Sequence, residues 1–212
     1  MKAPRLLLRE HIKEMILERI LAGTYEPGER LVETGLAREF GTSQVPVREA
    51  LRELEALRFV ESEPFRGARV RAVSSAEIVE IFPVRSAIEE VAVRLATVQL
   101  DGDVEELERH LSAMEEATAA GDRHERVLSD VEFHRTIIDA SGNTILGEVW
   151  LTLRIEGRTM ITSLRASIGL EEIVAIHEPI LAAIRAKDPD GAVAAMRRHF
   201  DVLRSMLDEE SQ

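Results

Sequence analysis

At 212 residues, 45% of them hydrophobic, the chain is long enough for one large domain or two modest ones with real cores. Cysteine is absent, which excludes a disulfide framework and any thiolate metal site or nucleophile, and no run of about 18 apolar residues offers a membrane span. The net charge of −12 argues against a nucleic-acid partner only until it is divided: residues 1–73 hold 13 basic against 12 acidic side chains, and residues 74–212 hold 14 against 27.

In chain order, Leu8, Ile12, Met15, Ile16 and Ile20 recur at helical spacing and predict a first helix over 6–22, ended by Gly23 before a Pro27-Gly28 turn. Thr34 reads as the cap of a short helix over 35–40, stopped by Gly41. Ser43 reads as the cap of a third helix, with Pro46 in its first turn, where a missing N–H costs little. That helix buries Val47, Ala50, Leu51, Leu54 and Leu57 and turns Arg48, Glu49, Arg52 and Glu53 outward. Two short β-like pieces follow, 59–61 and 68–73, around the turn Pro64-Phe65-Arg66-Gly67. Three helices with a tight turn between the second and third, then a hairpin, spell a winged helix-turn-helix over residues 1–73.

From Ser74 the pattern is helical throughout. Ser74 and Glu77 have capping-box spacing, and six helices are expected over 75–99, 103–120, 124–141, 144–166, 170–186 and 189–208. The breaks fall at Asp101-Gly102, Gly121-Asp122, Gly142-Asn143, Ser167 to Gly169 and Asp188-Pro189. The expected fold is therefore mainly α: a winged helix-turn-helix followed, over residues 74–212, by an antiparallel bundle of about six helices. Met1 to Leu8 carries no secretory apolar region, so a cytoplasmic protein is expected.

Polar residues interrupt the apolar stripes of this bundle. Asp130 and His134 are four apart, on one helix face with Val127, Val131, Ile137 and Ile138. His177 and His199 lie at similar distances before and after the turn near Lys187-Asp188, so an antiparallel pair brings both imidazoles to one height. Three imidazoles and a carboxylate suit a borderline divalent metal, zinc first, then nickel or manganese; hydrogen-bonded core histidines are the bland alternative. His11, His110 and His124 have no such partners. In the first bundle helix Arg85 falls in a stripe of Ile78, Ile81, Ile88, Ala92 and Leu95, with Glu89 at i+4. Either Glu89 pairs it structurally, or its planar fork grips a carboxylate ligand. Pro83 should bend the same helix.

The run from Gly23 to Leu31, Leu36-Ala37-Arg38-Glu39-Phe40-Gly41 and Pro46-Val47-Arg48-Glu49-Ala50-Leu51-Arg52 resemble the DNA-binding domain of the GntR family. Arg85 to Glu89, Asp130-x-x-Phe133-His134, Gly142-Asn143, His177 and Met196-x-x-His199 resemble its FadR-type branch, whose effector domain is a metal-binding helical bundle. The resemblance implies a homodimer on a palindromic double-stranded operator, acting most often as a repressor. It implies metal ligation by Asp130, His134, His177 and His199, and a small carboxylate effector held by Arg85 and Asn143. The expected DNA contacts are Ser43, Gln44, Val45, Arg48 and Arg52, with Arg66 and Gly67 at the wing tip. Related sequences carry Arg where this one has Gln44, which suits adenine rather than guanine. A metal-dependent hydrolase or lyase is the competing reading, weakened because Glu132 and Glu178 do not face the ligands and no other general base is evident. The chain is therefore expected not to be an enzyme.

Overall fold

The computed structural model describes residues 5–21, 23–63, 67–72, 75–153 and 170–210. The chain divides into two compact units, Met1–Val73 and Ser74–Gln212.

In the first unit, α1 (Arg5–Leu21) buries Ile12, Ile16 and Ile20 on one stripe and packs against α3 (Gln44–Ala56), which buries Val47, Ala50, Leu51 and Leu54. Leu57 is only half-buried, because the helix has ended at its C-cap. α2 (Glu33–Glu39) is capped by Val32 rather than by Thr34: the amides of Gly35 and Leu36 bond to the Val32 carbonyl. The helix thus starts a residue or two earlier than the Thr34 signal suggests, and Thr34 lies within its first turn. Ser43 does occupy the N-cap position of α3, in an extended conformation, but its side chain makes no capping hydrogen bond. Gly41, at φ 62°, makes the turn between the two helices.

A three-stranded antiparallel sheet completes this unit, with β1 (Arg30–Leu31), β2 (Val60–Glu63) and β3 (Gly67–Val70) in the order β1-β3-β2. Leu31, Val60 and Val70 turn inward from it, and Phe59 is buried just before β2. The two-residue β1 is absent from the sequence reading, since alternation needs more residues than that to register. The turn at 64–66, Arg66 included, lies outside the described residues, as do Ser74 and the Glu77 side chain of the expected capping box.

The second unit is a helical bundle of α4 (Ser75–Leu100), α5 (Glu105–Ala120), α6 (Arg123–Ala140), α7 (Thr144–Thr152), α8 (Leu170–Ala175), α9 (Glu178–Arg185) and α10 (Pro189–Glu210). α4 continues through Pro83 and packs on α6 and α10, while α5 packs on α6. Two expectations are corrected. The stretch 170–186 is not one helix: it opens at Ile176-His177, because Pro179 has no N–H to donate to the Ala175 carbonyl and instead serves as an N-terminal residue of α9. α7 is described only to Thr152, and the remainder of the expected 144–166 helix lies outside the described residues. Asp188 caps α10 through Gly191 N–H, with Pro189 as its first residue. No described helix is long and apolar enough to cross a membrane.

Candidate functional site

Two places carry the polar chemistry, one in each unit. On α3 of the first unit, Gln44, Val45, Arg48 and Arg52 are all exposed, with Ser43 exposed just before them. Such a face can enter a major groove, and the glycine that opens β3, Gly67, is exposed as well. Arg48 does not pair with its helix neighbour Glu49. Its guanidinium is held by Glu33 of α2.

In the second unit three histidines converge. α6 supplies His134, the α8–α9 junction His177 and α10 His199, and one ring nitrogen of each lies within 4.8 Å of the others. The rings of His177 and His199 are centred 4.5 Å apart, and those of His134 and His199 4.9 Å apart. All three are buried. The break in the helix at residue 177 shapes the site: the His177 Nδ1 lies 2.8 Å from the Ile173 carbonyl, one turn back, so it is the protonated nitrogen. Its Nε2 is left facing Asp130, 3.2 Å from Oδ1. The structure thus brings Asp130 beside His177, while the ligand atoms that all lie together are those of the three imidazoles.

A shell of charged groups surrounds them. His134 Nδ1 is 2.5 Å from Glu89 Oε2, Arg85 Nε donates to Glu89 Oε1 at 2.9 Å, and the Trp150 indole N–H donates to the same oxygen at 3.1 Å. Burial raises the Glu89 pKa, yet the charges of Arg85 and His134 and their hydrogen bonds outweigh it and hold the group down to about 2. Asp130 is likewise held well below the usual carboxylate range: burial opposes ionisation, but the neighbouring His177, His134 and Arg126 prevail. His199 shifts well below the ordinary imidazole value, mainly through burial and then through repulsion by His177 and His134. A neutral, buried imidazole is the form that ligates a metal. His134 Nε2 and His199 Nδ1 have no hydrogen-bond partner. Leaving buried polar atoms unmade is unfavourable, and a cation that all three rings can reach would satisfy them. The donor set of three imidazole nitrogens fits a borderline divalent ion.

Arg85 lies 4.9 Å from the Phe200 ring as well as on Glu89, inside the same buried cluster. Asn143 has a different place. It is exposed, and its Oδ1 accepts from Leu146 N–H to cap α7. Leu95 is also exposed at 38%, out of the inward stripe where the sequence pattern put it; Glu89, Val93 and Ala96 face in instead.

Three features escape the sequence reading. Trp150 is 61 residues from Glu89, and no periodicity relates α7 to α4. Glu89 bridges to His134 as well as to Arg85, a long-range contact for the same reason. Arg126, buried and acting on Asp130, is the third, and its spacing is the signal that could reveal it: it stands four residues before Asp130 and eight before His134 on one face of α6.

Residues 8–70 match the family described as bacterial regulatory proteins, gntR family, and residues 80–202 match the FCD domain. The chain is 35% identical over 195 residues to a probable D-xylose utilization operon transcriptional repressor of Paenarthrobacter nicotinovorans, covering 92% of this chain and 86% of that one. It is 29% identical over 198 residues to the gluconate operon transcriptional repressor of Bacillus subtilis, covering 90% and 81% of the two. Among solved structures, Escherichia coli McbR/YncC superposes with a TM-score of 0.74 at 25% identity, over the whole of both chains.

Proposed function

The chain belongs to the GntR family of bacterial regulatory proteins and carries an FCD domain, a family of transcription regulators rather than enzymes, and we propose that it is a repressor controlled by a metal-dependent effector site. α3 reads double-stranded DNA with Gln44, Val45 and Arg48 toward the bases and Ser43 and Arg52 toward the backbone, and Arg66 and Gly67 bring the wing to the duplex. In the bundle, His134, His177, His199 and Asp130 hold one divalent transition metal, zinc in the first instance. The metal supplies a Lewis-acidic centre for the oxygens of a small carboxylate, and Arg85 neutralises the carboxylate charge.

The observation that carries this reading is the convergence of three buried imidazoles, two of them with ring nitrogens that nothing else satisfies. Arg85 supports the effector part, since it stands in the same buried cluster, against the Phe200 ring. The effector regulates only if it binds the DNA-competent and DNA-incompetent forms with different affinity.

The test is elemental analysis of protein purified without chelator or metal-affinity tag, followed by anisotropy titration of duplex DNA with a panel of small acids and sugars. D-gluconate and D-xylose belong in it, because relatives are named for those operons. About one transition-metal ion per chain is expected, with DNA binding altered by a carboxylate only in the metal-loaded protein. Protein that takes up no metal on reconstitution, or that answers the same acid equally well without it, would refute the metal-dependent site.

The regulator works as a homodimer on a palindromic operator. Val84, Val91, Leu95 and Val98 support this: they recur at spacings of seven, four and three residues along α4 and are exposed in the single chain. Leu95→Glu is expected to raise the monomer fraction in light scattering and to weaken operator binding with it. A Leu95→Glu protein as dimeric as the wild type would place the interface elsewhere.

A further inference from the structure

Glu33 is the first residue of α2, and Arg48 is the fifth of α3, across the tight turn of the helix-turn-helix. Three hydrogen bonds join them: Arg48 Nε donates to Glu33 Oε1 at 2.9 Å and to Oε2 at 3.0 Å, and Nη2 donates to Oε2 at 2.6 Å. Arg48 is exposed, at 48%, and Glu33 is half-buried, at 31%. An ion pair in such a place, even a bidentate one, contributes modestly at most to stability. The packing of α2 on α3 already rests on buried Leu36, Ala37, Val47 and Ala50, so the fold does not need it.

The pair does fix the direction of a guanidinium. Glu33 occupies the side edge, formed by Nε and Nη2, and leaves Nη1 outside the pair. The end edge, Nη1 with the second hydrogen of Nη2, therefore points away from the carboxylate. Two parallel N–H donors in that arrangement match O6 and N7 of a guanine in the major groove. An unclamped arginine on an exposed helix would instead find the nearest phosphate, which carries no sequence information. The carboxylate also places a negative charge on the DNA-facing side of the motif, which opposes a phosphate in the same position but not an uncharged base.

We propose that Glu33 is a positioning residue for sequence readout: it clamps the side edge of Arg48 so that the end edge reads one guanine per half-site. The proposal rests on α3 being the recognition helix, and it assigns a role to a residue of the preceding helix that touches no base. Its consequence is that Glu33 sets specificity more than affinity.

The experiment uses the full-length protein and its Glu33→Gln, Glu33→Asp and Arg48→Ala variants. Each is equilibrated with a library of random-core duplexes, and the bound DNA is sequenced. The salt dependence of binding is then measured on the duplex that the wild type enriches. Arg48→Ala and Glu33→Gln are expected to lose preference for guanine at the same single position, by about tenfold, and to leave the other positions unchanged. Glu33→Asp, with the charge kept and the reach shortened, is expected to lose part of it. Glu33→Gln should keep the wild-type salt slope, since no phosphate contact is removed. Guanine preference kept by Glu33→Gln but lost by Arg48→Ala overturns the clamp alone. A uniform gain of affinity in Glu33→Gln overturns it too, by making Glu33 a mere repeller of DNA. Arg48→Ala that changes no base preference but lowers the salt slope by roughly one makes Arg48 a phosphate contact and overturns it as well. A wild-type protein that enriches no sequence removes the recognition-helix reading, and the proposal with it.

Discussion

Alanine in place of His134 is expected to lower metal affinity by more than about 100-fold, because changes merely to groups that orient metal ligands already cost about 10–100-fold. The His134 ring is centred 5.4 Å from that of His177 and 4.9 Å from that of His199. The metal-loaded wild type should gain about 2.7 kcal/mol in stability at a free metal concentration of about 100 times Kd, and the variant should gain none. Metal-free, the variant should be less stable than the wild type, because His134 is fully buried and its Nδ1 faces Glu89 Oε2, although Glu89 retains Arg85 and Trp150. Trp150 is the chain's sole tryptophan and touches Glu89, which touches His134, so its emission should respond to metal in the wild type and fall silent in the variant. Stoichiometric metal in His134→Ala, by elemental analysis, would show that the ligand set is wrong.

The second large effect is expected from Glu89→Gln. Glu89 is buried and accepts from Arg85 and Trp150 while facing His134. Breaking a buried ion pair from one side leaves the other charge poorly compensated, which costs about 3–5 kcal/mol. Gln is isosteric, so no cavity is made and the loss reports charge. Urea unfolding followed through Trp150 emission isolates the bundle from the DNA-binding unit, since the only tryptophan lies in the bundle. A shift below about 1 kcal/mol would mean that Arg85 finds compensation elsewhere in the cluster. Metal affinity should also fall by about 10–100-fold, because His134 loses the carboxylate beside its Nδ1.

Local chemistry made the helices legible. Gly23, Gly41, Gly121 and Gly142 have positive φ at or just past helix ends, and Asp188-Pro189 starts α10. The misread boundaries are equally local in origin. Thr34 has the chemistry of a cap, yet the Val32 carbonyl supplies the first acceptor, and Pro179 breaks an otherwise continuous apolar pattern. Leu95 shows the limit of periodicity: a stripe can be drawn through it, but which of two neighbouring stripes faces inward depends on what packs there.

For the cluster, spacing on one helix sufficed to put Asp130 and His134 on a common face, because 3.6 residues per turn is a property of the backbone. The sequence by itself thus determined the two-unit plan, the helix-turn-helix and the residue types capable of holding a cation. Only the tertiary structure decided that His177 sits at a helix break with its Nδ1 on the Ile173 carbonyl, that Glu89 bridges Arg85, Trp150 and His134, and that Glu33 holds Arg48. Each of these depends on the rotation and register of one element against another, or on a backbone break that frees a carbonyl. Such relations are set by the whole core at once, and no window of sequence contains them.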